Sequence, residues 1–168
     1  AVMLSGETAT GRYPREAVAM MGRIICEAET VATQPLRPRQ EPGMSIAETV
    51  AETAAAAADQ LRLKAIVVFT ESGSSARLVS KARPTTPVIA FSPHREVRRR
   101  MALYWGTRPR RIPRVREIDA LAREAEKRLR REKLARRGDV VALVAGTPLQ
   151  TRGTTNLLKF HTIGARTR

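Results

Sequence analysis

The sequence predicts an α/β fold: a three-layer α/β/α domain around a five-stranded, mostly parallel sheet. Three observations predict it. The runs KAIVVFT (64–70), PVIAF (87–91) and DVVALVA (139–145) are continuously apolar, as in strands covered on both faces. Segments of helical period alternate with them. The last connection, 146–155, is too short for a crossover helix, so the final strand is expected to run antiparallel to the one before it.

The elements follow in order. AVML (1–4) reads as a strand and SGETATGRY as a loop. Pro14 and Glu16 suit a helix start, and Ala17, Val18, Met21, Ile24, Ile25 and Ala28 then share one helical face. TQPLRPRQEPG (33–43) carries three prolines and a glycine and reads as a linker. Ser45 and Glu48 have capping-box spacing and open a helix to about Arg62, with Ile46, Val50, Ala54, Ala57 and Leu61 expected on its inner side. Strand 64–70 leads to a helix over 74–82, strand 87–91 to a helix over 93–103 with Ser92-Pro93 as its cap and first turn. Residues 110–113 are a weak third strand. A long helix over 117–137 turns Ile118, Leu121, Ala122, Ala125 and Leu129 inward and ends at Gly138. Strand 139–145 is the fourth, and NLLKFHTI (156–163) the fifth, placed at a sheet edge by Lys159 and His161.

Composition bounds the function classes. The 168 residues suffice for one domain, or one domain plus a fragment. No apolar run reaches transmembrane length, so no membrane partner is expected. The single cysteine, Cys26, excludes an internal disulfide framework and fits a reducing cytoplasm. Its place on the apolar helix face predicts a buried, inert thiol. The net charge is +15, and residues 95–137 hold 17 Lys and Arg against 6 Asp and Glu. That excess suits a polyanion, or simply a solvated arginine-rich surface, which is the expected reading; nucleic acid is not an expected partner.

Chemistry is concentrated in two loops. TESGSS (70–75) joins a strand to a helix. In this fold class ligands collect at the carboxyl ends of parallel strands, and a helix start offers amides and a dipole to an anion. Thr70, Ser72, Ser74 and Ser75 add hydroxyls, and Gly73 permits close backbone approach. A serine-capped helix without a ligand fits the pattern equally well. The stretch has neither the G-K-[ST] of a Walker loop nor G-x-G-x-x-G spacing. The second loop, AGTPLQTRGTTN (145–156), should emerge at the same edge, where Arg152 could clamp a phosphate or carboxylate. Glu7 reads as a cap or salt-bridge partner. His94 and His161 lack a third metal ligand and are expected to face solvent or cap helices. Tyr104 and Trp105 read as rings packed at a helix end rather than as a base-stacking platform.

Three segments together resemble the pyruvate kinase family over its C-terminal portion: AVMLSGETATGRYPREAV, TESGSSARLVSKARPTTPVIAFSP and GDVVALVAGTPLQTRGTTNLLKFHTIG. The resemblance covers nearly the whole chain, and MLSGETA with TxSGxSAR is specific to the family. It implies that residues 1–30 are the last strand and helix of a (β/α)8 catalytic barrel and that 31–168 form the C-terminal regulatory domain. It implies a parent reaction, phosphoenolpyruvate plus ADP to pyruvate plus ATP, with Mg²⁺ and K⁺ bound on barrel strands absent here, so that this chain alone would be inactive. It further implies a phosphorylated effector, a sugar phosphate or nucleotide monophosphate, held by Thr70, Glu71, Ser72, Gly73, Ser74 and Ser75 and closed over by Leu149, Gln150, Thr151, Arg152, Gly153 and Thr154. Arg114 and Leu121 fall where some members carry an aromatic and an arginine. A cytoplasmic homotetramer is the implied assembly. From the loops alone, a free-standing module for phosphorylated metabolites is the other expectation.

Overall fold

The computed structural model describes residues 2–31, 43–115, 117–149 and 153–165. The chain divides into two compact units, Ala1–Pro35 and Leu36–Arg168.

The first unit holds two helices, α1 (Gly6–Ala9) and α2 (Pro14–Val31). Residues 2–4 form no strand, contrary to expectation. A strand exists only through a paired neighbour, and none of the described residues supplies one. The loop expected over 5–13 contains α1, whose start is tied by Glu7: its Oε2 accepts the Ser5 amide at 3.0 Å. Along α2, Ala17, Met21 and Ile25 are half-buried at i, i+4, i+8 spacing, whereas Val18 and Ile24 are exposed. Cys26 is also exposed, which corrects the expected buried thiol.

The second unit is built on one sheet. Its elements are α3 (Ile46–Gln60), β1 (Ala65–Phe69), α4 (Ser74–Lys81), β2 (Val88–Ser92), α5 (Arg95–Met101), β3 (Thr107–Arg111), α6 (Ile118–Arg131), β4 (Val140–Gly146) and β5 (Thr155–Thr162). The strand order is β3-β2-β1-β4-β5. The first four strands are mutually parallel, and β5 is antiparallel to β4. Every residue of β1 and β2 is buried, as their unbroken apolar runs require. β3 reads TRPRR, and its Pro109 is tolerated because β3 is the edge strand.

The two faces of the sheet carry separate cores. On one, Val67, Phe69, Ile89, Phe91, Val141 and Leu143 meet Leu121, Ala122, Ala125 and Leu129 of α6. Burying Leu129 completely contributes about 2–3 kcal/mol. On the other, Ile66, Val68, Val88, Ala90, Ala142 and Val144 meet Ala51, Ala54 and Ala58 of α3, Ala76 and Val79 of α4, and Met101 of α5. Alanines at this face let α3 lie close to the strands. The buried stripe of α3 is therefore Ala51, Ala54, Ala55 and Ala58, while Ile46 and Leu61 are exposed. The expected inner side, drawn through Ile46, Val50, Ala54, Ala57 and Leu61, is rotated relative to it.

Caps set the helix ends. The Ser45–Glu48 capping box forms: Ser45 Oγ accepts the Glu48 amide at 3.3 Å, and Glu48 Oε2 accepts the Ser45 amide at 2.9 Å. The α5 cap is His94 rather than Ser92, which ends β2 with its hydroxyl accepting the His94 amide. α6 stops at Arg131, short of the expected Arg137. Lys133 there takes a left-handed φ of 56°, and its amide and that of Leu134 bond back to Arg130 and Leu129. That 5→2 and 6→1 pair is a Schellman ending, and α3 ends the same way through Arg62 and Leu63.

Candidate functional site: a cleft at the carboxyl edge of the sheet

β1 is the central strand. Chain order reverses beside it, because β2 and β3 lie on one side and β4 and β5 on the other. The covering helices also change face there, α4 and α5 on one and α6 on the other. A crevice opens at such a switch point, outside the carboxyl ends of the strands. It is lined by Thr70, Glu71, Ser72, Ser74 and Ser75 after β1, Pro93 after β2, Ile112–Val115 after β3, Leu121 of α6, and Gly146, Leu149 and Gly153–Thr155 of the β4–β5 hairpin.

The first loop is held tightly by its own polar groups. Thr70 Oγ1 accepts the Gly73 amide at 2.9 Å. Gly73 caps α4 with φ +88°, a conformation that favours glycine, and a Cβ there would press on Val97 Cγ1 at 3.3 Å. The Ser72 and Ser74 hydroxyls share a 2.9 Å hydrogen bond. Arg100 on α5 donates through Nη2 to the Ser72 carbonyl. The Ser75 hydroxyl points across the sheet edge to the Thr155 hydroxyl of β5 at 2.6 Å, and both residues are buried. Thr70 and Ser75 thus brace the loop, and Ser72 and Ser74 form its polar rim. The amides of Ser75 and Ala76 belong to the first helical turn, whose donors have no acceptor within the helix.

The second loop reaches the same cleft. Asn156 closes its base: Oδ1 accepts the Thr147 amide at 2.8 Å and Nδ2 donates to the Thr147 carbonyl at 2.8 Å. Gly146 sits at the register shift of the β4–β5 ladder, and a Cβ there would fall 2.2 Å from the Thr154 carbonyl oxygen. Leu149, Gly153 and Thr154 line the cleft; Gln150, Thr151 and Arg152 lie outside the described residues. Arg114 and Leu121 both line it as well.

Electrostatics are uneven. The charged side chains lining the cleft among the described residues are Glu71 and Arg114. Glu71 Oε2 lies 2.6 Å from His94 Nε2. His94, expected to face solvent or cap a helix, occupies the N-cap position of α5 without a side-chain capping bond, and its ring forms this pair instead. Its position was legible: the residue after Ser92-Pro93 follows β2 and must emerge beside the loop that follows β1. His161 is likewise paired, with Glu126 at 2.9 Å. Trp105 packs under the Arg83 guanidinium, 4.4 Å from the ring centre. Among the described residues no group of three or more His, Cys, Asp or Glu could hold a metal ion, and no helix is long and apolar enough to cross a membrane.

The arrangement is a small polar shelf, made by a helix start and serine hydroxyls, facing an apolar wall of Ile112, Leu121 and Leu149. It is suited to a ligand with one anionic and one less polar end.

Comparison with known proteins gives the lineage. Residues 48–161 match the family described as pyruvate kinase, alpha/beta domain. The chain is 39% identical over 168 residues to the pyruvate kinase of Mycobacterium tuberculosis, covering 98% of this chain and 34% of that protein. It is 40% identical to the pyruvate kinase of Staphylococcus saprophyticus, covering 98% and 28%. The crystal structure of Cryptosporidium parvum pyruvate kinase superposes with a TM-score of 0.78 at 30% identity, covering 96% of this chain and 32% of that one. The chain thus spans about a third of the length of the relatives it matches. It belongs to the pyruvate kinase family and corresponds to that family's C-terminal region, with its α/β domain.

Proposed function

We propose that this chain is the regulatory C-terminal segment of a pyruvate kinase, and that the cleft at the carboxyl edge of its sheet binds a phosphorylated effector. The carrying observation is that the β1–α4 loop and the β4–β5 hairpin, 80 residues apart at Ser75 and Thr155, meet at one cleft over the start of α4. Amides of a helix start with adjoining hydroxyls favour a phosphate. Sugar phosphates and nucleoside monophosphates supply that group on a less polar body. In this reading the whole enzyme transfers a phosphoryl group from phosphoenolpyruvate to ADP, residues 1–30 close its catalytic barrel, and it works as a cytoplasmic homotetramer. In the same reading its Mg²⁺ and K⁺ are held by the catalytic barrel rather than by this chain. The chain alone should form no ATP from phosphoenolpyruvate and ADP.

Calorimetric titration of the chain with sugar phosphates and nucleoside monophosphates tests the cleft, with Ser74→Asp as the control. An acid in the first turn of α4 is compatible with the helix but sets a carboxylate where the phosphate would sit. Binding should weaken by at least about tenfold. Equal affinity in the variant removes this loop as the site.

A further inference from the structure

A carboxylate inside an anion cleft works against the ligand. Glu71 lies in the β1–α4 loop, among the hydroxyls and amides that favour phosphate. It is not left alone. His94 sets Nε2 2.6 Å from Glu71 Oε2, and the two side chains are 32% and 20% exposed. Arg114, from the segment between β3 and α6, brings Nη2 to 3.4 Å from the same ring nitrogen. A guanidinium only donates, so a ring nitrogen already committed to Glu71 as a donor is no acceptor for it. Arg114 has no ion pair among the described residues, and its charge faces the cleft.

Of the charged residues of α5, Arg95, Glu96 and Arg99 are exposed, and Arg98 and Arg100 are engaged elsewhere. Arg98 Nη1 donates to the Ser92 and Pro93 carbonyls at 2.9 and 2.8 Å, and Arg100 donates to the Ser72 carbonyl. Glu96 is in the first turn of α5. From α6, Asp119 is held by Lys159 at 3.0 Å, and Leu121 is what that helix gives the cleft wall. The described cleft residues of the β4–β5 hairpin, Gly146, Leu149 and Gly153–Thr155, carry no charge. Among the described residues the balance of the cleft therefore turns on Glu71, Arg114 and the imidazole between them. With His94 protonated the three sum to +1; with it neutral they sum to zero.

We propose that His94 is a specificity-determining residue of this cleft, making the binding of a phosphate monoester dianion proton-linked, with affinity rising as the imidazole gains its proton. Imidazoles as a class change charge between about pH 5 and 8, which is the range in which the linkage is to be looked for. The proposal rests on the cleft being a phosphate site, and its test separates the two.

Inorganic sulfate is the probe, because it stays a dianion throughout this range while a phosphate ester gains a proton near pH ~6. Its binding to the 168-residue chain is followed by NMR at the Ser75 and Ala76 amides, which isolates the cleft from the rest of a basic surface. Affinity should be tighter at about pH 6 than at about pH 8 by on the order of tenfold, the effect of one charge across a few ångströms near a surface. His94→Asn, which keeps a good helix cap, should bind weakly and with the same affinity at both values. Glu71→Gln should bind more tightly than the parent chain at the higher pH. Full pH dependence in His94→Asn, or none in the parent chain, overturns the proposal. If neither sulfate nor any phosphate ester shifts those amides at either pH, the phosphate reading of the cleft fails and carries this proposal with it.

Discussion

Removing the hydroxyl of Ser75 should destabilise the second unit far more than a serine-to-alanine change on a helix surface. Ser75 and Thr155 are 6% and 3% exposed, and their hydroxyls meet at 2.6 Å. Either single truncation leaves the other oxygen buried without its partner, which costs about 1–3 kcal/mol. Ser75→Ala and Thr155→Val should each lose roughly that amount. Truncating both removes donor and acceptor together and leaves an apolar contact of similar shape, so the double variant should lie within about 1 kcal/mol of the parent. The coupling in the double-mutant cycle is then at least about 1 kcal/mol, and about 3 kcal/mol for mid-range single losses, well above the ~0.3–0.5 kcal/mol scatter expected of independent sites. Urea unfolding followed by far-UV circular dichroism gives the four free energies, and thermal midpoints should fall by about 2–4 °C per kcal/mol. Losses that simply add in the double variant would refute the reasoning, because the hydroxyls would then find their partners elsewhere.

Other perturbations have equally direct readings. Lys133→Gly should raise stability by about 0.5–1 kcal/mol, since the left-handed φ of 56° costs a side-chain-bearing residue more than the added chain entropy of glycine; a lower urea midpoint would contradict this. Gly146→Ala should cost roughly 2 kcal/mol or more by forcing its Cβ against the Thr154 carbonyl and hydroxyl, and an unchanged midpoint would show that the hairpin is not so close. The Ser45 hydroxyl, then its amide, holds the Glu48 carboxyl below its ordinary value. A depressed carboxylate contributes stability above its unfolded value and loses it as pH falls through the folded one, so Ser45→Ala should flatten the acid side of the stability–pH curve. Identical acid slopes for parent and variant would dismiss that contribution.

How legible this was follows from what each signal measures. Unbroken apolar runs report burial on both faces, so β1, β2 and β4 could be read directly, and the short 146–155 connection settled the direction of β5. The β3 run, TRPRR, carries no apolar signal at all; it is a strand only because β2 offers it an edge. In α3 the alanines are chemically alike on every side, and the stripe the sheet selects is the one allowing closest approach, a property of the neighbour. The end of α6 was misplaced because Lys133 adopts a conformation for which glycine is the usual sign. The two loops were visible by composition, whereas the Ser75–Thr155 and Glu71–His94 contacts depend on strand order, which local pattern does not report. Apolarity alone predicts a buried Cys26 and a strand at residues 2–4, but burial needs a covering partner and a strand a paired neighbour, neither of which apolarity reports.

The central place of β1 also has a consequence in time. β1 pairs with β4, whose partners Ala65 and Val141 lie 76 positions apart, and such distant pairings form late. Until β4 and the hairpin add to the sheet, the apolar face that α6 covers is incomplete and one wall of the cleft does not exist. The cleft should therefore be among the last parts of the unit to be assembled, and native-state hydrogen exchange should find its hairpin opening before the β1–β2 ladder. A ligand that bridges its two walls would act as a latch on the hairpin, slowing hydrogen exchange of the β5 amides selectively while leaving those of the β1–β2 ladder nearly unchanged.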